Sequence, residues 1–266
     1  MFGLIKKSFF VLKNYGLKIF LIKVINWLLK RPINLLTSFK LRLNEKKAKQ
    51  NPELVIKELE KFNSSKPEEI FDFAWEFFGG LIRPMQLKEE FVELLKIFKE
   101  LDPKYIMEIG TANGGTLFSF CKLARENAVV VSLDLPAGPF GGGYPEWKIP
   151  VYRAFQKKDQ KLYLLRENSH QKETLEKVKG IIGDNQLDFL FIDGDHTYEG
   201  VKKDFEMYGS LVKEGGIIAF HDIVFHKFEP IVKVDVFWNE IKSNFKFKEM
   251  VKNNNQNWAG IGIIYV

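Results

Sequence analysis

The chain has 266 residues, a formal net charge of +6 and one cysteine, Cys121. A single cysteine excludes an internal disulfide framework and is typical of proteins from a reducing compartment. Residues 1–44 hold nine Lys and Arg and no acid, whereas the remaining residues hold 31 basic and 34 acidic side chains. Because the basic segment is rich in Leu, Ile and Phe rather than in arginine, nucleic-acid binding is disfavoured.

Residues 2–30 are predicted to form two amphipathic helices that are interrupted near Gly16 and stopped at Pro32. Lysines recur along them, which disfavours both a membrane-spanning helix and a cleavable signal peptide. Their composition favours a helix lying in a membrane interface. In the alternative, the apolar face packs on the rest of the chain or on a second subunit, which leaves a homo-oligomer open. We expect a cytoplasmic protein, with the inner face of the membrane as its site of attachment.

The order of the predicted elements indicates an α/β architecture. Helices are predicted at 53–62, 67–78 and 88–100. Strands are predicted near 104–109, 128–134, 162–166, 187–193, 215–221, 245–251 and 260–266. Alternation of strand and helix from residue 104 predicts a doubly wound parallel sheet. The chain is accordingly divided into a basic helical extension (1–44), a helical segment that packs on the core (45–100) and an α/β domain (101–266).

A glycine-rich turn follows the first predicted strand, in the sequence EIGTANGGT that begins at Glu108. Gly110, Gly114 and Gly115 allow the backbone to approach a bound group, and the following helix start offers free N–H groups. Ala112 stands where the dinucleotide fingerprint G-x-G-x-x-G requires its second glycine, which disfavours an NAD or flavin site.

Acidic residues end several of the predicted strands. Besides Glu108, they are Asp134, Asp193 in the sequence DGDHTYEG, and Asp222 in the sequence GGIIAFHD. Ligands of open α/β sheets bind outside the carboxyl ends of the strands, so we expect these acids to surround one site. Asp195 is predicted to cap the next helix.

Together these motifs resemble the class I S-adenosylmethionine (SAM)-dependent methyltransferases. DGDHTYEG and GGIIAFHD resemble the cephalosporin-hydroxylase-like branch of that class. The resemblance covers residues 100–266 and implies a Rossmann-like, mostly parallel seven-stranded sheet with helices on both faces, here preceded by the N-terminal helical extension.

The resemblance also implies a cofactor site. The residues expected to bind SAM are Glu108, Gly110, Thr111, Ala112, Asn113, Gly114, Gly115, Asp134, Asn168, Ser169 and Asp193. The glycine-rich turn would hold the methionine end, Asp134 would bind the ribose hydroxyls, and Asn168 and Ser169 would line the adenine.

Candidate catalytic residues follow the fourth and fifth predicted strands. His196 lies three positions after Asp193, where the catechol-type enzymes carry a lysine that removes the acceptor proton. An imidazole with a near-neutral pKa suits a general base, and Asp193 would orient the acceptor. The alternative is that His196 only orients its loop.

A metal site is predicted from Asp193, His221 and Asp222, which would converge on Mg²⁺ or another divalent cation. Because histidine is a poor ligand for Mg²⁺, the alternative is that His221 and Asp222 close the pocket as polar residues.

The loop of residues 136–147 is long and glycine-rich, and it predicts a mobile flap whose Phe140, Tyr144 and Trp147 contact a ligand. A disordered insertion is the alternative. The function favoured by the sequence is SAM-dependent O-methylation of a small-molecule, sugar or glycan hydroxyl. The alternatives are a same-fold nucleotide-binding enzyme of another reaction type, such as a hydroxylase, and a non-catalytic membrane-attached scaffold.

Overall fold

The computed structural model describes residues 43–138, 140, 142–253 and 255–266, so the predicted extension at 2–30 lies outside the described residues. Residues 43–50 are helical. The helices that follow are α1 (Pro52–Glu60), α2 (Pro67–Glu76) and α3 (Lys88–Leu101). Proline at the first position starts α1 and α2, because its fixed φ suits a helix and its missing N–H costs nothing there. No helix in the part of the chain that the structure describes has the length and apolar character needed to cross a bilayer.

From residue 105 onward, strands and helices alternate as predicted. The strands are β1 (Tyr105–Ile109), β2 (Val129–Leu133), β3 (Lys161–Leu165), β4 (Leu187–Ile192), β5 (Val212–His221), β6 (Lys246–Met250) and β7 (Ile261–Tyr265). The helices are α4 (Gly115–Leu123), α5 (Ile149–Arg153), α6 (Lys172–Ile182), α7 (Tyr198–Tyr208) and α8 (Val234–Ile241). Each predicted strand is confirmed to within three residues at either end.

The seven strands form one sheet in the order β3-β2-β1-β4-β5-β7-β6. β1 to β5 run parallel, and β7 is antiparallel to both β5 and β6. The prediction of a mostly parallel, seven-stranded, Rossmann-like sheet is therefore confirmed. The strand order reverses between β1 and β4, and ligand crevices of open α/β sheets open at such a point.

Helices cover both faces of the sheet because the strands are apolar on both faces. In β4, Phe189 and Phe191 pack with α3 and α4, whereas Leu190 and Ile192 pack with α6, α7 and α8. Successive side chains of a strand point to opposite faces, so the apolar run FLFI at residues 189–192 fills two core layers. This double burial fixes the strand ends where the polar motif residues begin.

Candidate active site

The carboxyl ends of β1, β4 and β5 surround a cavity of about 420 Å³. The residues that follow these strands line it, including Gly110, Asp193 and Asp222. Residues from outside the α/β domain also contribute, namely Arg83, Pro84, Met85 and Gln86. The predicted convergence of motif residues at one edge of the sheet is therefore observed for these three positions.

Gly110 crosses closely over the end of β4. Its φ is +103°, and a Cβ at this position would overlap the carbonyl oxygen of Asp193. Gly110 N–H donates to the carbonyl of Leu133, which ties the turn to β2. The glycine thus lets β1 and β4 end side by side, and the turn beyond it lines the cavity with Thr111, Ala112, Asn113, Gly115 and Thr116.

Replacing Gly110 with alanine should lower the free energy of unfolding by about 2–3 kcal/mol, because the new Cβ meets backbone in a conformation that favours glycine. Urea denaturation measures the loss. Gly180→Ala is a matched control, since Gly180 lies in α6 with no atom within 4 Å of an added Cβ. Alanine there should be neutral or stabilise by up to about 1 kcal/mol. Equal stability of the two variants would contradict the role given to Gly110.

Glu108 lies beneath the turn rather than in the cavity. It is fully buried and lines neither of the two cavities at the sheet edge. Its carboxyl group accepts hydrogen bonds from the hydroxyls of Ser132 and Thr116, both at 2.8 Å. Burial raises the pKa of Glu108 to about 8, against the opposing effect of these two hydrogen bonds. The structure thus places Glu108 as a support between β1, β2 and α4, and its direct contact with a ligand stays a prediction.

Asp134 follows β2, and its carboxylate joins two loops. One oxygen accepts from Ala112 N–H at 2.8 Å, and the other accepts from Gly143 N–H at 2.9 Å. Burial raises the pKa of Asp134 even though these N–H groups favour the charged form. Ala112 has a φ of 44°, a left-handed conformation that this hydrogen bond supports.

A second cavity of about 100 Å³ adjoins the first, and both are lined by Gly110, Asp134, Phe140, Gly142 and Gly194. Asn168 and Ser169 line this smaller cavity, together with His170 and Glu167. The two cavities form one groove that runs from the glycine-rich turn past Asp134 to the end of β3.

His170 was not predicted, and it forms an ion pair with the fully buried Asp204 of α7 at 3.2 Å. The neighbouring carboxylate of Asp204 raises the pKa of His170, against the effect of partial burial. The sequence gives no signal for this pair, because Asp204 lies among lysines and glutamates on a helix that looks solvated.

His196 and Asp222 form a close pair at the side of the larger cavity. His196 Nδ1 lies 2.6 Å from Asp222 Oδ2, and His196 Nε2 lies 3.8 Å from Asp193 Oδ1. Asp222 has a φ of 64°, which turns the chain sharply after β5. The other oxygen of Asp193 accepts from Gln86 Nε2 at 2.7 Å. Gln86 precedes α3, outside the region of resemblance, and was therefore not predicted.

His221 stands behind this pair. Its Nδ1 lies 3.1 Å from Asp193 Oδ1 and 3.5 Å from Asp222 Oδ1, so the predicted trio of Asp193, His221 and Asp222 does meet. The ligand atoms of a related trio, Asp193, His196 and Asp222, all lie within 4.8 Å of one another. His221 Nε2 is buried with no hydrogen-bond partner among the described residues.

The two carboxylates set the charge of both imidazoles. Burial opposes protonation of His196, but the hydrogen bond and charge of Asp222 outweigh it and raise the pKa of His196. The same opposition operates at His221, where Asp193 and Asp222 raise the pKa to about 9. Burial alone would raise the pKa of Asp222, yet the neighbouring imidazoles hold it well below its ordinary value.

The loop of residues 136–147 contributes one aromatic ring to the cavity. Phe140 lines it, with its ring centroid 4.9 Å from that of His196. Tyr144 is buried against Tyr152, and Trp147 packs on the main core. Neither lines the two cavities, so the prediction that both rings contact a ligand is not met. These two side chains instead pack the end of the loop against the hydrophobic core.

The helix cap was also predicted at the wrong residue. Thr197, not Asp195, is the N-cap of α7, and its hydroxyl accepts from Gly200 N–H at 3.0 Å. Asp195 accepts from the N–H and the hydroxyl of Thr197, so it holds the capping residue in place.

Comparison with known proteins shows what this domain is similar to. Residues 107–223 match the family described as "Methyltransferase domain". An uncharacterized protein of Acanthamoeba polyphaga mimivirus is 29% identical over 150 residues, which are 52% of this chain and 60% of that protein. An uncharacterized protein of Sinorhizobium fredii is 26% identical over 125 residues, which are 46% of this chain and 13% of that protein. The chain thus spans less than two thirds of the length of either relative.

Solved structures share the fold. A structure described as that of a caffeoyl-CoA O-methyltransferase from Staphylococcus aureus has a TM-score of 0.53 and 21% identity, covering 81% of this chain and 99% of that one. An O-methyltransferase from Bacillus cereus, in complex with SAH, has a TM-score of 0.50 and 15% identity, covering 77% and 93%. At these identities the likeness concerns the fold.

The match of residues 107–223 to the methyltransferase-domain family, the sheet order and the glycine-rich turn agree with the predicted class I SAM-dependent methyltransferase domain. The prediction of a methyltransferase domain with this fold is confirmed for the matched residues. The cephalosporin-hydroxylase-like branch stays a prediction, as does the role of each site residue.

Proposed function

We propose that the protein transfers the methyl group of SAM to a hydroxyl of a small-molecule, sugar or glycan acceptor. The observation that carries this proposal is the pairing of His196 with Asp222 at 2.6 Å beside the glycine-rich turn, in one cavity. A neutral imidazole held by a carboxylate is suited to accept a proton from a hydroxyl.

The groove suits the shape of SAM. Its larger part adjoins the glycine-rich turn and the start of α4, where N–H groups favour the carboxylate of a methionine moiety. Asp134 lies in the middle, where a ribose would sit, and its oxygens retain capacity for further hydrogen bonds beyond the two backbone donors. The smaller cavity beside Asn168 and Ser169 would hold the adenine.

SAM, when bound, supplies an electrophilic methyl group, so the chain's own tasks are to orient the acceptor and to move one proton. With Nδ1–H donated to Asp222, His196 would have Nε2 available to take the proton of the acceptor hydroxyl. The acceptor oxygen would bond to the methyl carbon as the sulfur–carbon bond of SAM breaks, and SAH would leave. Asp193, held by Gln86, faces the same space and would orient the acceptor. The ring of Phe140 over His196 helps to keep water away from the base.

Titration calorimetry of the full-length protein with SAM tests cofactor binding. Release of SAH in the presence of a panel of hydroxyl acceptors tests methyl transfer. SAM binding without SAH release from any hydroxyl would keep the cofactor and contradict the acceptor class. NAD binding in place of SAM would favour a same-fold enzyme of another reaction type.

The pH dependence of turnover should report the His196–Asp222 pair. A general base works when it is unprotonated, so turnover should rise with pH through the raised pKa of His196, above the ordinary value of about 6.5. In Asp222→Asn, the hydrogen bond and the charge that raise the pKa of His196 are weakened. The rising part of the pH–rate profile should therefore move to lower pH. Turnover measured as a function of pH for the wild-type protein and for Asp222→Asn gives the shift. If the rise occurs at the same pH in both proteins, it reports the titration of another group.

A divalent cation is the second candidate feature of the site, because Asp193 and Asp222 approach both His196 and His221. Two carboxylates with one imidazole suit Mn²⁺ or Fe²⁺ better than Mg²⁺. Such a cation would orient the acceptor oxygen and lower the pKa of its hydroxyl. If a cation is required, EDTA should abolish turnover and one divalent cation should restore it. Full turnover in EDTA would mean that Asp193, His221 and Asp222 act without a cation.

The location of the protein remains a proposal from the sequence. Residues 2–30 lie outside the described residues, and their apolar and basic composition supports contact with the inner face of a membrane. The buried thiol of Cys121, the chain's one cysteine, agrees with a reducing compartment.

A further inference from the structure

Large apolar side chains are exposed around the mouth of the larger cavity. Phe225 is 58% exposed, Met85 58%, Phe228 41% and Trp258 40%. Met85 and Trp258 line the cavity, and the loop of Phe225 and Phe228 lines it through His226 and Glu229. We call these four residues the apolar rim.

The rim is built on fixed backbone. The loop of residues 223–228 is hydrogen-bonded to the loop before β7, with Val224 N–H on the carbonyl of Ala259 and Lys227 N–H on that of Asn257, both at 3.0 Å. The buried carboxylate of Glu90 accepts from Lys252 N–H and Gly260 N–H, both at 2.9 Å, and from the side chain of Gln256. Glu90 thus holds the loop before β7, and backbone hydrogen bonds tie the loop of residues 223–228 to it. The exposed rings of the rim therefore stand on a hydrogen-bonded backbone.

Cations accompany the rings. Lys233 lies 5.8 Å above the ring of Phe225, and Lys227 lies 5.9 Å from the ring of Phe228. Arg83 lines the cavity on the side of Met85. Exposed aromatic rings interleaved with lysines are the composition of surfaces that enter the headgroup region of an anionic bilayer. Residues 1–44, with nine basic residues and no acid, lead into the same domain and favour the same partner.

We propose that the apolar rim docks on an anionic lipid surface, so that the cavity opens toward the membrane. Phe225, Phe228 and Trp258 enter the interface, and Lys227 and Lys233 contact the lipid headgroups. The acceptor hydroxyl then belongs to a molecule held at that surface, which narrows the acceptor class of the proposed methyl transfer. Docking itself does not depend on that reaction.

Flotation of the full-length protein with vesicles tests the docking. The wild-type protein should float with an equal mixture of phosphatidylcholine and phosphatidylglycerol, and less with phosphatidylcholine alone or at high salt. Phe225→Ser/Phe228→Ser should lower the vesicle affinity tenfold or more, since two rings lose their apolar transfer. Leu54→Ser/Phe247→Ser is the matched control, because these side chains are exposed to a similar extent, line neither cavity and should leave the affinity unchanged.

The SAM affinity of the wild-type protein, the rim variant and the control variant is measured by calorimetry. Equal SAM affinity in all three shows that the fold is intact. If the wild-type protein floats, the rim variant alone loses flotation and none of the three binds SAM, the proposed function is contradicted and the rim proposal is supported. Three outcomes overturn the rim proposal: no flotation of the wild-type protein, equal flotation of the rim and control variants, or a vesicle-free dimer that Phe225→Ser/Phe228→Ser dissociates. The last would make the rim a contact between copies of the chain.

Discussion

His196→Ala should lower turnover on the order of a hundredfold or more while SAM affinity stays nearly unchanged, because a general base acts on the acceptor proton and not on the cofactor. His196 lines the cavity and its Nδ1 is paired with Asp222 at 2.6 Å, so Nε2 is the atom that we propose as the proton acceptor. Steady-state release of SAH from the best acceptor of a hydroxyl panel measures turnover, and calorimetry measures affinity.

Added imidazole gives this experiment its control. If His196 supplies only a base, free imidazole should restore part of the turnover of His196→Ala in proportion to its unprotonated fraction. Normal turnover without imidazole would return His196 to the alternative in which it only orients the loop before α7.

Asp134→Ala should weaken SAM binding by roughly one to two orders of magnitude, or about 1.5–3 kcal/mol for the loss of a charge-assisted hydrogen bond. The structure adds a second reason, since Asp134 also holds Ala112 and Gly143, whose loops border the groove. Calorimetry with SAM measures the change.

Asp188→Ala is the matched control for Asp134. Asp188 also accepts two backbone N–H groups, those of Lys104 and Tyr105, but it does so at the start of β4, on the opposite edge of the sheet. This variant should lose stability and keep its SAM affinity. If a folded Asp134→Ala protein binds SAM as the wild type does, the ribose role is wrong.

The strands and the glycine-rich turn could be predicted from the sequence because their signals are local. β1 and β4 are buried on both faces of the sheet, and polar motif residues stand where a buried run ends, as Asp193 does directly after β4. That rule was sufficient to bring Asp193, His196, His221 and Asp222 to one edge of the sheet.

The features of the site that could not be predicted from the sequence depend on contacts between segments that are distant in the chain. Glu108 looks like a ligand residue in its motif, yet Ser132 and Thr116 take up its carboxyl group below the turn. Gln86 reaches Asp193 from a segment that no motif marks. The pairing of His170 with Asp204 joins the end of β3 to a helix more than thirty residues later, and no spacing rule links the two.

We propose that the groove between the glycine-rich turn, Asp134 and the end of β3 binds SAM for methyl transfer at His196. Titration of SAM, SAH and NAD into the full-length protein tests it most directly. We predict saturable binding of SAM and SAH, weakened by Asp134→Ala and retained in His196→Ala, and no binding of NAD. Absence of SAM binding by the folded wild-type protein, or preferential binding of NAD, would contradict the assignment of this groove to SAM.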